Sequence, residues 1–153
     1  MRIAVGGDER NSVTDAVLLE LRRRGHELVK IVGPVGGGDE QWADCGLEIG
    51  LSVAEGEAEQ GVLFCWTGTG VSMAANKVRG ARAALCTDAE QARGARKWND
   101  ANVLAMSLRL TSEPLALEIL EAWFATTGVD TSEIANIAKV RAAEEVPDGH
   151  EQA

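Results

Sequence analysis

The stretch GVLFCWTGTGVSMAAN (residues 61–76) decides how this chain is read. Its first five residues form an unbroken apolar run ending at Cys65, the pattern of a strand buried on both faces of a parallel sheet. The turn that follows, Gly68-Thr69-Gly70, opens into a helix, and there backbone amides can crowd around an anionic oxygen. A thiol is thus placed beside an anion hole. That pair suits proton abstraction next to a carbonyl, in which a base removes a C–H proton and the amides hold the enediolate that forms. The same residues also fit an inert buried cysteine ahead of a tight turn, since free cysteine is commonly a core residue.

Outward from this stretch, apolar runs at residues 2–6, 27–32, 82–87 and 102–107 alternate with helical patterns at 14–24, 40–54, 72–78, 89–98, 114–125 and 132–145. Alternation of this kind predicts an α/β domain with a parallel sheet covered by helices on both faces. The loop Gly33-Pro34-Val35-Gly36-Gly37-Gly38 reads as the most flexible internal segment. One domain is expected over residues 1–145, followed by an acidic, solvated tail at 146–153. In such sheets ligands bind beyond the carboxyl ends of the strands. Three features are expected to converge there: Gly6-Gly7-Asp8-Glu9 after the first strand, Cys65 after the third, and the polar turn Asn99-Asp100-Ala101-Asn102 next to the fifth. The glycine turn lacks the third glycine of a dinucleotide fingerprint and the Gly-Lys-Ser/Thr ending of a Walker loop, which argues against a nucleotide cofactor.

Composition narrows the class further. Of 153 residues, 45% are hydrophobic, enough for a sizeable core. The formal charge of −9 repels nucleic acid and anionic membrane surfaces, so neither is expected as a partner. Cys45, Cys65 and Cys86 match neither a zinc-site spacing nor a disulfide framework, and read as reduced thiols of a cytoplasmic protein. No signal peptide or membrane-spanning run is recognisable.

The blocks GVLFCWTGTGVSMAANKVRGARAALC (residues 61–86) and WNDANVLAMSLR (residues 98–109) give the chain, from Arg2 to about Val140, a resemblance to the ribose-5-phosphate isomerase B and galactose-6-phosphate isomerase family. The resemblance implies a Rossmann-like three-layer α/β/α sandwich with a five-stranded parallel sheet, self-association to a dimer or tetramer, and active sites built between subunits. It also implies roles. Cys65 matches the base that acts on the sugar's C2 proton, and the position used for a glutamate base in another branch is Val71. Thr67 matches a hydroxyl serving the sugar oxygens, while Gly68, Thr69, Gly70 and Ser72 match the turn whose amides hold the enediolate. Asp8 matches a ligand of substrate hydroxyls and Asn99 an oxygen-binding amide given by the partner subunit. Trp42 falls where the family often carries an aromatic near the neighbouring site.

The chain departs from the family pattern at the very positions that handle rings and phosphate. Glu9 and Trp98 replace histidines, the second of them implicated in opening a furanose ring, and Trp66 replaces a glycine, so both tryptophans read as pocket walls. Of the cations that meet phosphate, Arg109 is retained, Lys139 and Ala135 stand at the later positions, and Arg141 is an alternative. Each charge-assisted contact to a phosphate dianion contributes roughly 1.5–3 kcal/mol, so ordinary ribose 5-phosphate is not the expected substrate. The expectation is an aldose–ketose isomerase working through a cis-enediolate without metal or organic cofactor, on a short or open-chain sugar or sugar phosphate. The competing reading is a sugar-binding or regulatory subunit. Elsewhere, Cys45, Cys86 and Trp123 read as core, Arg93, Arg96 and Lys97 as a solvated or interface face, and His26 has no assigned role.

Overall fold

Each short apolar run is followed by a helical segment too long for a hairpin, and the chain crosses over after every strand instead of turning back. In the computed structural model, which describes residues 1–145, the strands are β1 (Arg2–Gly7), β2 (Glu27–Val32), β3 (Gln60–Cys65), β4 (Ala83–Leu85) and β5 (Val103–Ser107). They form one parallel sheet in the order β2-β1-β3-β5-β4. The acidic tail expected at 146–153 lies outside the described residues.

The helices are α1 (Ser12–Arg23), α2 (Trp42–Ala54), α3 (Thr69–Asn76), α4 (Ala89–Asn99), α5 (Glu113–Ala125) and α6 (Ile134–Glu144). Side chains alternate across each strand, so Ile3, Val5, Val62, Phe64, Leu104 and Met106 meet α1, α4 and α5 on one face. The other face presents smaller residues, Ala4 and Ala105 with Leu63, Cys65 and Val103, to α2 and α3. Glycines bring that layer close: a Cβ on Gly61 would lie 2.6 Å from Cγ2 of Ile49. The result is the expected three-layer sandwich. Trp123 is fully buried and its indole N–H donates to Oε1 of Gln60 at 2.7 Å, while Cys45 and Cys86 are equally buried. Apart from these layers, α6 buries only Ile137.

Several boundaries differ from the sequence reading, for local reasons. Helix α3 starts at Thr69, three residues early, because Gly68 adopts the left-handed conformation that turns the chain out of β3. Strand β4 stops at Leu85: Thr87 and Asp88 are used at the start of α4, where Asp88 accepts from the Gln91 amide at 2.7 Å and Thr87 donates to Oε1 of Gln91. The loop at 33–38 is a bonded structure. It contains a 3₁₀ turn over Pro34–Gly36, buries Val35, and is tied by the Gly33 amide donating to the Glu40 carboxylate at 2.9 Å. Arg96 is half-buried over the Trp123 ring at 5.3 Å, and this packing takes it out of the solvated face assigned to it.

Candidate active site

Parallel register sets the first cluster of side chains at the carboxyl end of the sheet. Gly7 pairs with Phe64 and Cys65 with Ser107, so Asp8 leaves β1 beside the strand end that carries the thiol. The backbone there is fixed by the segment after β5. Leu108 N–H donates to the Cys65 carbonyl at 3.0 Å, and the Trp66 carbonyl accepts from Arg109 N–H at 2.9 Å and from the Ser107 hydroxyl at 3.0 Å. Cys65 is buried, whereas Trp66, Thr67 and Arg109 are exposed around it.

Beyond the thiol, Gly68 turns the chain at φ +76° and α3 begins with no side chain capping it. The first amides of a helix have no intrahelical acceptor, so the Thr69, Gly70 and Val71 N–H groups form a positive end available to an oxyanion. Only glycine fits at 68. A Cβ there would stand 3.0 Å from backbone atoms of Met106 and Ser107 and 2.5 Å from Leu85, in addition to the unfavourable φ. The amide of Ser72 is occupied, donating to the Gly68 carbonyl at 3.3 Å. Trp42, the first residue of α2, lays its indole on Gly70: a Cβ on Gly70 would lie 2.8 Å from Cε3. The same helix packs on α3 through Gly46, where a Cβ would be 2.5 Å from that of Ala74.

The local electrostatics are acidic. Asp8 is half-buried, and this burial pushes its carboxyl up, aided by the charge of exposed Glu9 and opposed by a backbone hydrogen bond. Behind it, burial pushes the Cys45 thiol up to about 12, with Asp8 and Glu40 adding to the effect. Burial likewise takes Cys86 up to about 12.

Trp98 and Asn99 do not join this cluster within one chain, contrary to the expected convergence. Helix α4 returns from the carboxyl end of β4 to the amino end of β5, so its last residues emerge at the opposite end of the sheet. The turn is anchored there: Gly61 N–H donates to the Asn102 carbonyl at 3.0 Å, and Oδ1 of Asn102 accepts from Arg82 N–H at 2.7 Å. The span from Gly61 to Cys65 is about 13 Å. Trp98 and Asn99 instead line a cavity of ≈ 320 Å³ with Asn76, Arg82 and Asn136. Lys139 is exposed on α6, the helix that walls this second cluster. Arg141 is drawn to the Asp100 carboxylate, which also receives Arg82 at 3.3 Å.

The sequence reading left several supports unassigned. The Gly46–Gly50 spacing was visible as a G-x-x-x-G pattern, but what it packs against was not. The Ser107 hydroxyl carried no local signal, because its acceptor is 41 residues away. Trp42 was placed by resemblance near a neighbouring site, and its ring here rests on the glycine turn of its own chain.

A family model described as Ribose/Galactose Isomerase matches residues 3–140. A D-erythrulose-4-phosphate isomerase from Pectobacterium atrosepticum is 34% identical over 128 residues, covering 80% of this chain and 82% of that protein. Among solved structures, ribose-5-phosphate isomerase B of Clostridium thermocellum superposes with a TM-score of 0.82 at 34% identity, over 94% of this chain and 97% of that one. Ribose-5-phosphate isomerase B of Mycoplasma genitalium with bound ribulose-5-phosphate gives 0.84 at 25% identity, over 95% and 97%. With the fold shared and the family model matching residues 3–140, nearly the whole described chain, the protein belongs to the ribose/galactose isomerase family.

Proposed function

We propose that the chain is an aldose–ketose isomerase acting on a sugar phosphate, with Cys65 as the base that carries a proton between adjacent carbons. The observation that carries this reading is the thiol at the end of β3 directly ahead of the uncapped, glycine-lined start of α3. The sulfur as thiolate takes the C–H proton next to the carbonyl, and the electron pair of that bond moves to the carbonyl oxygen. The enediolate is held by the Thr69 to Val71 amides, each such donor commonly contributing about 2.7–4 kcal/mol. While the enediolate is held, the proton on sulfur exchanges with solvent. The sulfur then returns a proton to the neighbouring carbon as the hydroxyl proton of the first carbon passes to the former carbonyl oxygen, which completes the exchange of aldehyde and ketone. Thr67 serves the two oxygens, and Asp8 and Glu9 face the remaining hydroxyls. Trp66 and Trp42 bound the pocket.

The second cluster enters by assembly. A second copy would bring its Trp98, Asn99 and Lys139 to the carboxyl end of the first, and the half-exposed Trp98 and exposed Ile134 and Val140 supply apolar surface for that contact. Arg109 and Lys139 would meet the phosphate. All three cysteines are free, as suits a reducing cytoplasm. One observation favours a binding-only subunit instead: Arg141 is engaged by Asp100. Incubation of candidate sugar phosphates in D₂O separates the two. Deuterium should enter at the carbon next to the carbonyl and be lost by about 10²–10⁴-fold in Cys65→Ala, the usual range for a missing acid–base group. Exchange that is absent from the native protein, or unchanged in the variant, would contradict the proposal.

A further inference from the structure

Helix α3, whose first amides face the oxyanion, has only 8 residues and is about 12 Å long. Its closest support lies past the middle, where α2 meets it through glycine. A Cβ on Gly46 would stand 2.5 Å from that of Ala74 and 2.8 Å from the Val71 carbonyl oxygen, and one on Gly50 3.1 Å from the Ala75 carbonyl oxygen. A close approach at glycine fixes how near the two helices lie and leaves the direction of α3 to its ends. At the front end the chain swivels on Gly68. At the rear end the last residue of the helix, Asn76, takes hold of β4: Nδ2 donates to the Ala83 carbonyl at 2.9 Å, and Oδ1 accepts from the Ala83 N–H at 2.8 Å.

Strand β4 is an edge of the sheet. The Arg82 carbonyl accepts from Val103 N–H at 3.2 Å and the Cys86 N–H donates to the Ala105 carbonyl at 2.9 Å, so Ala83 between them turns its own two groups outward. A primary amide carries a donor and an acceptor side by side, and that of Asn76 fills the place a further strand's backbone would take. Water bonds the same two groups at an exposed edge, so the pair adds little to stability and its effect is geometric. Resting on the isomerase reading, we infer that Asn76 is a positioning residue of that reaction: clamping the rear of α3 to the edge of the sheet, it aims the Thr69 to Val71 amides at the enediolate. With the pivot near Ala74, a swing of about 10° carries those amides by about 1 Å. A misplacement of that size commonly costs about 100-fold in rate.

Asn76 also lines the cavity that holds Trp98 and Asn99, so the test has to separate aiming from contact. It compares the native protein with Asn76→Ala and Asn76→Asp on ribose 5-phosphate and erythrose 4-phosphate. Two phosphorylated ligands of matching length report on the amides: an aldonohydroxamate, whose planar oxygens copy the enediolate, and an alditol, which has no carbonyl. In Asn76→Ala, kcat should fall by about 10–100-fold and the affinity for the hydroxamate by a similar factor, with the affinity for the alditol unchanged. Asn76→Asp keeps the shape but sets a carboxylate against the Ala83 carbonyl, and should lose as much. Native kcat in Asn76→Asp would overturn the inference, because the paired bonds would then be dispensable. Equal losses of hydroxamate and alditol affinity would overturn it as well, by making Asn76 a contact residue, and so would unfolding of either variant, by making the clamp a support of the fold. Absence of deuterium exchange into both sugars with the native protein would instead overturn the isomerase reading beneath it.

Discussion

Chemical selectivity among the three cysteines follows from where each sulfur lies. Cys45 and Cys86 have thiols held near 12 by burial, so both should remain thiols, and unreactive, at any ordinary pH. Cys65 stands at the mouth of the glycine turn, and limited iodoacetamide treatment of folded protein should label it first. Mass spectrometry showing Cys45 or Cys86 modified earlier would contradict that order. Glu20 makes a second residue-scale prediction. Hydrogen bonds from Arg23 and then Arg24 pull its carboxyl down to about 2, from an ordinary 4.5. A carboxyl lowered by folding stabilises the native state above its unfolded value, and that stabilisation disappears as pH falls from 4.5 through about 2. Because Arg23 is largely exposed, solvent screening leaves about 0.5–1 kcal/mol at neutral pH. Glu20→Gln should lower Tm at pH 7 and converge with the native protein near pH 2; a constant difference across that range would exclude the linkage.

At the scale of elements, the placement of α3 is the decisive feature, and it depends on glycines more than on apolar residues. Gly46→Ala would push a methyl against Ala74 and the Val71 carbonyl, an overpacking cost of about 1–3 kcal/mol, and would lift Trp42 from Gly70. The expected signature is a drop in urea midpoint together with a change in Trp fluorescence; a variant as stable as the native chain would show that α2 and α3 are not locked here. This layer also marks what was legible in the sequence. Strands β1, β3 and β5 were readable because buried parallel strands are nearly continuous apolar runs. The start of α3 was misread because Gly68 and Gly70 look like turn residues together. Gly68 is one, but Gly70 is helical, and its missing side chain makes room for a tryptophan 28 positions earlier. The 33–38 loop looked flexible by composition, while the bond from the Gly33 amide to Glu40 depends on a geometry that composition does not carry.

For the whole molecule, the candidate site divides between two ends of one sheet. The strand ends made the neighbourhood of Asp8 and Cys65 legible, whereas the place of the Asn99–Asn102 turn at the other end of the sheet follows from the direction in which α4 returns, which strand ends alone do not carry. Completing the site by a second copy is therefore the central claim, and mixing two inactive variants tests it most directly. Cys65→Ala and Asn99→Ala each remove one half. Random exchange of equal amounts makes about half the dimers mixed, each with one intact site of two, so the mixture should recover about a quarter of native isomerase activity. A mixture that has exchanged subunits, as mass spectrometry of the intact assembly would show, yet stays as inactive as its parents would contradict the shared site.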